Sequence, residues 1–264
     1  MSTSKGKAVI TGGSSGIGAV YADRLARQGY DLILVARSAA KLDRVATTIR
    51  QKTGRIVETV TADLTYPAHL DKVAAIIAQD RQVTMLVNNA GLGATAPLLE
   101  ADPKAMSGMI DLNVTALMQL TYEAVPAFIA RGQGTIINIS SIVAITPERL
   151  NGVYGASKAF VLAFSQSLKH ELAGTNVHVQ VVLPGATATD FWDTAGLPVA
   201  HLPKQIVMSA EDLVDAALVG LAQREFVTIP ALPDAAQWHV YEAARQAMAG
   251  NLSNSSPASR YLAA

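Results

Sequence analysis

The sequence predicts an α/β protein in which a doubly wound parallel sheet lies between two layers of helices. Short apolar runs alternate with longer amphipathic ones, and several of the short runs are apolar on both faces. Strands that helices cover on both faces have this pattern, and a repeated strand, helix, strand order places them parallel in one sheet. A chain of 264 residues, 50% of them apolar, can bury one such core. We therefore expect a single three-layer domain over residues 1–264.

Seven short runs are predicted to be strands, because each is a compact apolar or β-branched stretch bounded by turn residues. They are Lys7–Thr11, Asp31–Val35, Ile56–Thr61, Met85–Asn88, Thr135–Ser140, Val177–Leu183 and Phe226–Ile229. The amphipathic stretches between them are predicted to be helices. They are Ile17–Gln28, Ala40–Lys52, Pro67–Gln79, Pro103–Ala130, Gly152–Leu172 and Ala210–Gln223. Gly29 and Gly54 stand where two helices should stop, since glycine readily adopts the left-handed conformation that ends a helix.

Two segments depart from this alternation. Ala186–Val207 contains two prolines and apolar residues such as Phe191 and Trp192. It follows the end of a strand, where ligands bind in such sheets, so we expect a mobile substrate lid. Residues 234–264 are expected to form a C-terminal helix up to Met248 and then a loose tail rich in Asn and Ser.

Composition excludes several classes of function. Lys plus Arg and Asp plus Glu each number 21, so the net charge of zero gives no general attraction to nucleic acid or to an anionic membrane. There is no cysteine, and the five histidines lack a paired metal-ligand spacing, so we expect neither thiol chemistry nor a metal site. The serine pairs lack the sequence of a nucleophile elbow. Without a signal-peptide pattern or a long apolar run, we expect a cytoplasmic protein that acts on a small molecule.

The first predicted strand runs directly into a glycine-rich turn and then a helix. The turn has the sequence Thr-Gly-Gly-Ser-Ser-Gly-Ile-Gly over residues 11–18. Its spaced glycines let the backbone come close to a pyrophosphate, which the free N–H groups at the helix start can bind. This position after a first strand favours dinucleotide binding over a tight turn without a ligand. The candidate cofactor-binding residues here are Gly12, Ser14, Ser15, Gly16, Ile17 and Gly18.

The end of the second strand indicates which dinucleotide binds. An acidic residue there binds the 2′-hydroxyl of the adenosine ribose, whereas an Arg accommodates a 2′-phosphate. The sequence has Ala36-Arg37-Ser38, so a phosphate can pair with Arg37 and accept a hydrogen bond from Ser38. We therefore predict NADP(H) as the cofactor. The alternative is that Arg37 is a solvated surface residue.

Further motifs follow in order along the chain. They are Asp63-Leu64, Asn88-Asn89-Ala90-Gly91, Asn113, Ser141, the pair Tyr154-x-x-x-Lys158, and Pro184-Gly185 with Thr189 beyond it. With the glycine-rich turn, this order and spacing resembles the short-chain dehydrogenase/reductase family up to about Ile229. A Tyr-x-x-x-Lys pair alone is weak evidence, but the ordered set is specific. The resemblance implies a Rossmann-like fold and an NADP(H)-dependent oxidoreductase that transfers hydride between nicotinamide and a carbonyl or alcohol.

The Tyr154 and Lys158 side chains have a chemistry that does not depend on the resemblance. Spaced four apart on a predicted helix, they share one face. Lowering a phenol pKa from ~10 to ~7 takes about 4 kcal/mol, which an ammonium about 4 Å away supplies. Tyr154 is thus expected to be the general acid/base, with Ser141 bonding the substrate oxygen. The alternative is an unremarkable surface Tyr and Lys with a strand-end Ser.

The resemblance implies roles for the remaining motif residues. Asn113 is expected to hold a water that links Lys158 to solvent, and Lys158 and Tyr154 are expected to contact the nicotinamide ribose region. The other implied contacts are Asp63 and Leu64 with adenine, Asn89, Ala90 and Gly91 with the adenosine side and ribose, and Pro184, Gly185, Thr187 and Thr189 with the carboxamide end. For Asp63 the alternative is a helix cap before Pro67.

The substrate and the assembly are less determined. Leu92–Thr95, Ile142–Asn151 and Phe191–Leu202 are expected to line the pocket, and their apolar content indicates a hydrophobic ketone, aldehyde or secondary alcohol. The resemblance implies reduction as the direction, since family members with an Ala-Arg end of the second strand usually work as reductases. The resemblance also implies a homodimer or homotetramer formed through the helices predicted at Pro103–Ala130 and Gly152–Leu172.

Two other classes of protein stay open. One is a redox sensor that binds NADP(H) without turnover, and the other is a scaffold that has lost cofactor binding. The complete set of Asn113, Ser141, Tyr154 and Lys158 argues against a sensor, since sensing needs no acid or base. The intact glycine-rich turn and Arg37 argue against a scaffold.

Overall fold

A computed structural model describes residues 4–262 of the chain. Its strands are β1 (Lys7–Thr11), β2 (Asp31–Ala36), β3 (Val57–Thr61), β4 (Val83–Asn88), β5 (Gly134–Ile139), β6 (Val177–Val182) and β7 (Val227–Thr228). They form one sheet in the order β3-β2-β1-β4-β5-β6-β7, and every pair of neighbours is parallel. The predicted fold class, a Rossmann-like doubly wound sheet, is confirmed.

The α-helices of the described chain are α1 (Gly16–Arg27), α2 (Ala39–Thr53), α3 (Pro67–Gln79), α4 (Pro103–Ile110), α5 (Leu117–Ala130), α6 (Gly152–Glu171), α7 (Phe191–Ala195), α8 (Ala210–Ala222) and α9 (Ala235–Ala247). Six of them cover the two faces of the sheet. One apolar cluster joins the sheet to α1, α2 and α8, and a second joins the opposite face to α3, α5 and α6. Within residues 4–262, no helix is long and apolar enough to cross a membrane.

Strand β2 shows why several of the predicted strands are apolar on both faces. Its Leu32 and Leu34 side chains pack in the first cluster, whereas Ile33 and Val35 pack in the second. Successive side chains of a strand point to opposite faces, so a strand with a helix layer on each side buries both sets of side chains.

The strand order places a crevice next to β1. From β1 the chain moves outward through β2 to β3, then returns to pair β4 with the other side of β1 and continues outward to β7. The connections that leave β1 and β4 therefore go to opposite sides of the sheet. Ligands of doubly wound proteins bind in the gap that this reversal opens beyond the carboxyl ends of the strands.

The predicted helix over Pro103–Ala130 is present, but it contains a π-helical turn that the sequence analysis did not predict. Helix α4 ends at Ile110, residues Asp111–Ala116 form a π-helical turn, and α5 begins at Leu117. A π-helical turn changes the hydrogen-bond register inside a helix without changing its apolar periodicity, so periodicity cannot reveal it. The other predicted strand and helix bounds agree with the structure to within two residues.

The chain divides into two compact units, Met1–Pro230 and Ala231–Ala264. The first contains the sheet and the helices that cover it. The second contains α9, which begins where Asp234 accepts a hydrogen bond from the Ala236 N–H (2.9 Å), and none of its described residues is buried. A single domain over residues 1–264 and a loose tail after α9 stay predictions.

Replacing Phe128 tests the second cluster. Its side chain is fully buried there, so Phe128→Ala is expected to lower the free energy of unfolding by about 3–5 kcal/mol through lost burial and a cavity. The neighbouring Ile129 is 47% exposed, and Ile129→Ala is expected to cost less than about 1 kcal/mol. Urea unfolding of both variants measures the difference, and equal losses would contradict this description of the core.

Candidate functional site

The glycine-rich turn joins β1 to α1 at the crevice. Gly12 and Gly16 have positive φ angles of 67° and 52°, which side-chain-bearing residues rarely adopt. A Cβ on Gly18 would lie 2.3 Å from the Gly12 carbonyl oxygen, so the backbone packs against itself here. The turn therefore requires these glycines, and it presents the N-terminus of α1, where N–H groups have no partner within the helix, toward the crevice.

Thr11 and Asn89 lock this turn to the end of β4. The Thr11 hydroxyl accepts hydrogen bonds from the Asn89 and Ala90 N–H groups, both at 3.0 Å. The Asn89 side-chain amide donates to the Thr11 carbonyl at 2.9 Å and to the Gly12 carbonyl at 3.3 Å. The two loops beside the strand-order reversal are thus one rigid unit, and the predicted residues Gly12, Asn89 and Ala90 lie together.

Arg37 and Ser38 lie beyond the end of β2. Arg37 is exposed, and no carboxylate of the described chain lies within ion-pair distance of it. Ser38 caps α2 by accepting a hydrogen bond from the Lys41 N–H at 3.3 Å, a role that the sequence analysis did not assign. The free backbone N–H groups at the start of α2 therefore lie next to the positively charged Arg37. Together they are suited to bind an anion.

Asp63 and Leu64 follow β3. The carboxylate of Asp63 accepts from both the N–H (3.0 Å) and the hydroxyl (2.8 Å) of Thr65. Partial burial opposes ionisation of Asp63, but these hydrogen bonds and the charge of Arg37 hold its pKa below the ordinary value. Tyr66, not Asp63, is the N-cap of α3, so the alternative of a helix cap is wrong. Leu64 packs its side chain in the second cluster, and contact of either residue with adenine stays a prediction.

Tyr154 lies in the first turn of α6. Asn151 caps this helix by accepting hydrogen bonds from the Val153 and Tyr154 N–H groups, at 2.9 and 3.3 Å. Ser141 follows β5, and its hydroxyl lies 3.4 Å from the Pro184 carbonyl oxygen, to which it donates. The Ser141 side chain lies near enough to the Tyr154 phenol to lower its pKa, against the effect of burial. The structure thus brings together the predicted hydroxyl pair from two different elements.

Lys158 is buried one turn further along α6. Its Nζ donates to the Ile139 carbonyl at 3.0 Å and lies 5.8 Å from the centre of the Tyr154 ring. A Cβ on Gly91 would lie 3.5 Å from this Nζ, so the missing side chain of Gly91 leaves room beside the ammonium group. The predicted shared face of Tyr154 and Lys158 is present.

Burial dominates the electrostatics of this pair. Tyr154 and Lys158 are each only 6% exposed. Burial raises the pKa of Tyr154 to about 12, although the Ser141 side chain works in the opposite direction. Burial lowers the pKa of Lys158 to about 8. Burial is thus the largest influence on the Tyr154 pKa in the protein alone. The expectation that Lys158 brings this pKa near neutrality stays a prediction.

Asn113 lies in the π-helical turn and is buried. Its Oδ1 accepts from the Leu92 N–H (2.8 Å), and its Nδ2 donates to the Leu92 carbonyl (2.9 Å) and to the Ser157 hydroxyl (3.1 Å). The side chain is thus occupied in holding the loop after β4 against α6. Asn113 lies beside Gly91, where a Cβ would be 3.2 Å from its Oδ1. The predicted water between Asn113 and Lys158 stays a prediction.

The segment after β6 lies over both parts of the site. Thr189 lies above the glycine-rich turn, since a Cβ on Gly16 would be 3.1 Å from its Cγ2. Thr187 is buried and its hydroxyl donates to the Gly185 carbonyl at 3.2 Å. Pro184 meets Ser141, as described above. The predicted residues from Pro184 to Thr189 therefore connect the two ends of the crevice.

Three side chains shape the site through contacts that were not predicted, although Asn151 and Phe191 lie in segments that were expected to line the pocket. Asn151 stands directly before a predicted helix, so its capping role was detectable from helix-start rules. Ser157, the partner of Asn113, carries no such signal. Phe191 was placed in the lid, but its ring lies 5.7 Å from that of Tyr154, a contact that only the folded chain reveals. Among the described residues, no cluster of three or more His, Asp or Glu side chains is suited to a metal.

Replacing Lys158 tests its burial. With its pKa at about 8 in the folded protein and 10.5 ordinarily, the unfolded state binds more protons between these values. The wild type should therefore gain stability relative to Lys158→Met as pH rises from 8 toward 10.5, by on the order of 3 kcal/mol. Urea unfolding across this range measures the trend. Lys169→Met, from an exposed position of α6, is the control, and the same trend in both variants would contradict the assignment.

Comparison with known proteins agrees with this geometry. Residues 6–197 match the sequence model of the short chain dehydrogenase family. A short-chain dehydrogenase from Sphingobium yanoikuyae, solved in complex with NADPH, is 44% identical, with a TM-score of 0.94 over 97% of this chain and 100% of that chain. The bulky-bulky ketone specific alcohol dehydrogenase from Comamonas testosteroni is 38% identical, with a TM-score of 0.91 over 99% of this chain and 100% of that one.

A curated relative extends the likeness. An uncharacterized oxidoreductase of Staphylococcus epidermidis is 31% identical over 223 residues, which are 84% of this chain and 93% of that protein. The family match spans most of the first compact unit, including the glycine-rich turn and the Tyr154 and Lys158 pair. The chain therefore belongs to the short chain dehydrogenase family and is an oxidoreductase of that family.

Proposed function

We propose that this protein is an NADPH-dependent reductase of hydrophobic ketones or aldehydes in which Tyr154 is the general acid. One observation carries the proposal: the fold brings Ser141, at the end of β5, together with Tyr154 and Lys158 on one face of α6, beside the crevice where the glycine-rich turn lies. Burial also raises the pKa of Tyr154 to about 12, in keeping with a phenol that holds its proton at neutral pH. Reduction of a carbonyl consumes a proton at the substrate oxygen, and a protonated phenol held in the site supplies it.

The residues present fit a phosphorylated dinucleotide. The glycine-rich turn can hold the pyrophosphate, and Gly91 leaves space beside Lys158. The exposed Arg37 and the capped start of α2 suit a 2′-phosphate. The NADPH complex of the similar Sphingobium protein supports the same choice of cofactor. When bound, NADPH supplies the hydride.

Side chains of this protein donate the proton to the substrate and stabilise the charges that form. Tyr154 donates its phenolic proton to the substrate oxygen, and Ser141 donates a hydrogen bond to the same oxygen while negative charge develops there. Lys158 in its ammonium form stabilises the phenolate that Tyr154 becomes. A proton from solvent, passed by way of the Asn113 region, then restores the phenol. Alcohol oxidation runs these steps in reverse.

The apolar surroundings of Tyr154 indicate the substrate class. Tyr154 belongs to a small buried cluster with Ala94, Met109 and Val143. The partly buried side chains packed against it are Leu92, Met106, Leu150, Val153 and Phe191. These residues come from the three segments that were predicted to line the pocket and from α4 and α6. Such walls favour a carbonyl with hydrophobic substituents, a class that includes the ketones named for the Comamonas enzyme.

We extend the proposal to assembly. Tyr122 on α5 stacks on Phe164 of α6 (6.3 Å between ring centres), and Phe164 stacks on Phe160 (5.6 Å). Tyr122 is largely exposed, so this aromatic row reaches the surface. Aromatic side chains are enriched at subunit interfaces, which supports a homodimer or homotetramer formed through α5 and α6.

Tyr154→Phe is the experiment that tests the function. The variant keeps the ring but loses the acid, so kcat for NADPH-dependent reduction of hydrophobic ketones should fall by about 10²–10⁴-fold. The Kd for NADPH, measured by fluorescence, should stay within about threefold because the phenol hydroxyl makes only a small part of the cofactor contact. Full activity in the variant would refute the role of Tyr154. Wild-type binding of NADPH without turnover on a broad carbonyl panel would favour the sensor.

Arg37→Asp tests the choice of cofactor. Exchanging a phosphate-binding cation for a repelling carboxylate should weaken NADPH by about 10- to 100-fold, as expected from the loss of one charge-assisted hydrogen bond. NADH, which lacks the 2′-phosphate, should change little. Arg44→Asp makes the same charge change at an exposed position of α2 and is the matched control. Equal weakening of both cofactors by Arg37→Asp would overturn the assignment.

A further inference from the structure

The Phe191 ring lies between Tyr154 and a glycine. Its centre is 5.7 Å from the centre of the Tyr154 ring, with the two planes tilted by 46°. A Cβ on Gly93 would lie 2.1 Å from Phe191 Cζ and 2.6 Å from Cε2. The ring therefore occupies a notch that exists only because residue 93 has no side chain.

This ring lies beside one of the reacting groups. Tyr154 and Ser141, whose hydroxyls must meet the substrate oxygen, are 6% and 8% exposed. Phe191 is the member of the apolar cluster around Tyr154 that comes from the segment after β6. While its ring fills the notch, a carbonyl compound cannot place a substituent of its own there, next to Tyr154.

The segment that carries Phe191 is held together as one unit by its own hydrogen bonds. Its two ends are joined where the Ala188 N–H donates to the Met208 carbonyl (2.8 Å) and the Met208 N–H donates to the Ala186 carbonyl (2.9 Å). Inside it, the Trp192 indole donates to the Thr187 carbonyl at 2.9 Å. The Thr95 N–H (3.1 Å) and hydroxyl (2.8 Å) both donate to the Ala195 carbonyl and latch α7 to the loop after β4.

We propose that Phe191 is a stopper that stands in the place of a ring-sized apolar substituent of the substrate. Substrate entry displaces the phenyl ring from the Gly93 notch, and a substituent of similar size and shape takes over its contact with Tyr154. The substrate is then a ketone that carries an aromatic or alicyclic group on the side of Gly93. This inference rests on the proposed ketone reduction and names its substrate class.

Kinetics of Phe191→Ala with matched ketones test the substrate part. Acetophenone supplies a phenyl group, and butanone is the acyclic control. Without the stopper, KM for acetophenone should fall by about three- to tenfold, which corresponds to the loss of one displaced aromatic pair. KM for butanone should change by less than about twofold, since a small ketone gains nothing from the emptied notch. A rise in KM for acetophenone would overturn the proposal and make Phe191 a wall that binds substrate.

Gly93→Ala fills the notch from the other side. Its backbone angles accept alanine, so the added methyl group must exclude the ring. Adding Gly93→Ala should raise KM for acetophenone at least about fivefold, whether it is added to the wild type or to Phe191→Ala. The reason is that one methyl group removes the space that the phenyl ring of Phe191 or of the substrate needs. Gly108→Ala, where a Cβ meets no atom within 4 Å, is the control. An unchanged KM for acetophenone in Gly93→Ala/Phe191→Ala would refute substrate use of the notch.

A fluorescence test is independent of turnover. The chain has two tryptophans, Trp192 and Trp238, so Trp238→Phe leaves Trp192 as the reporter. Trp192 is buried and its ring lies 5.6 Å from that of Phe191. In this background Gly93→Ala should shift the emission to longer wavelength by pushing out Phe191 and α7, and the shift should vanish when Phe191→Ala is added. An identical shift in both backgrounds, or none, would overturn the stopper even if no ketone is reduced.

Discussion

The burial of one ammonium group, that of Lys158, is the constraint on which the site depends. An ammonium group removed from water is stable only when surrounding groups hold it in place. Its Nζ donates to the Ile139 carbonyl, and the Ser140 hydroxyl donates to the Lys158 carbonyl at 2.8 Å. Helix α6 is thereby fastened to the end of β5. The position of Tyr154, one turn earlier on the same helix, follows from this attachment.

Burial acts on both members of the pair and favours the neutral form of each. The phenol of Tyr154 keeps its proton at neutral pH, because its pKa is raised to about 12. The pKa of the Lys158 ammonium group is lowered to about 8, which is close to neutral pH. A second positive charge near the phenol, such as that of an oxidised nicotinamide ring, favours the phenolate. The proposed acid is therefore coupled to the cofactor: the protein alone stores the proton, and the charge state of the cofactor decides how readily Tyr154 releases or accepts it.

The fold and the motif residues were predictable because both depend on local pattern. Continuous apolar strands such as β2 indicate a sheet covered on both faces. In the glycine-rich turn, positive φ angles require Gly12 and Gly16, and close approach to the Gly12 carbonyl requires Gly18. The π-helical turn at Asn113 was not predictable, because it leaves the apolar periodicity intact. The raised pKa of Tyr154 and the place of Phe191 depend on what the folded chain packs around them, which spacing along the sequence does not encode.

Burial of Tyr154 should keep its phenol protonated until a cofactor with a positively charged nicotinamide ring is bound. Ultraviolet titration of tyrosinate in the wild type, with Tyr154→Phe subtracted, measures this ionisation directly, with and without saturating NADP⁺. The account predicts no phenolate from Tyr154 near neutral pH in the protein alone, and a titration displaced to lower pH when NADP⁺ is bound. Ionisation of Tyr154 near neutral pH without NADP⁺, or a titration that NADP⁺ leaves unchanged, would contradict it.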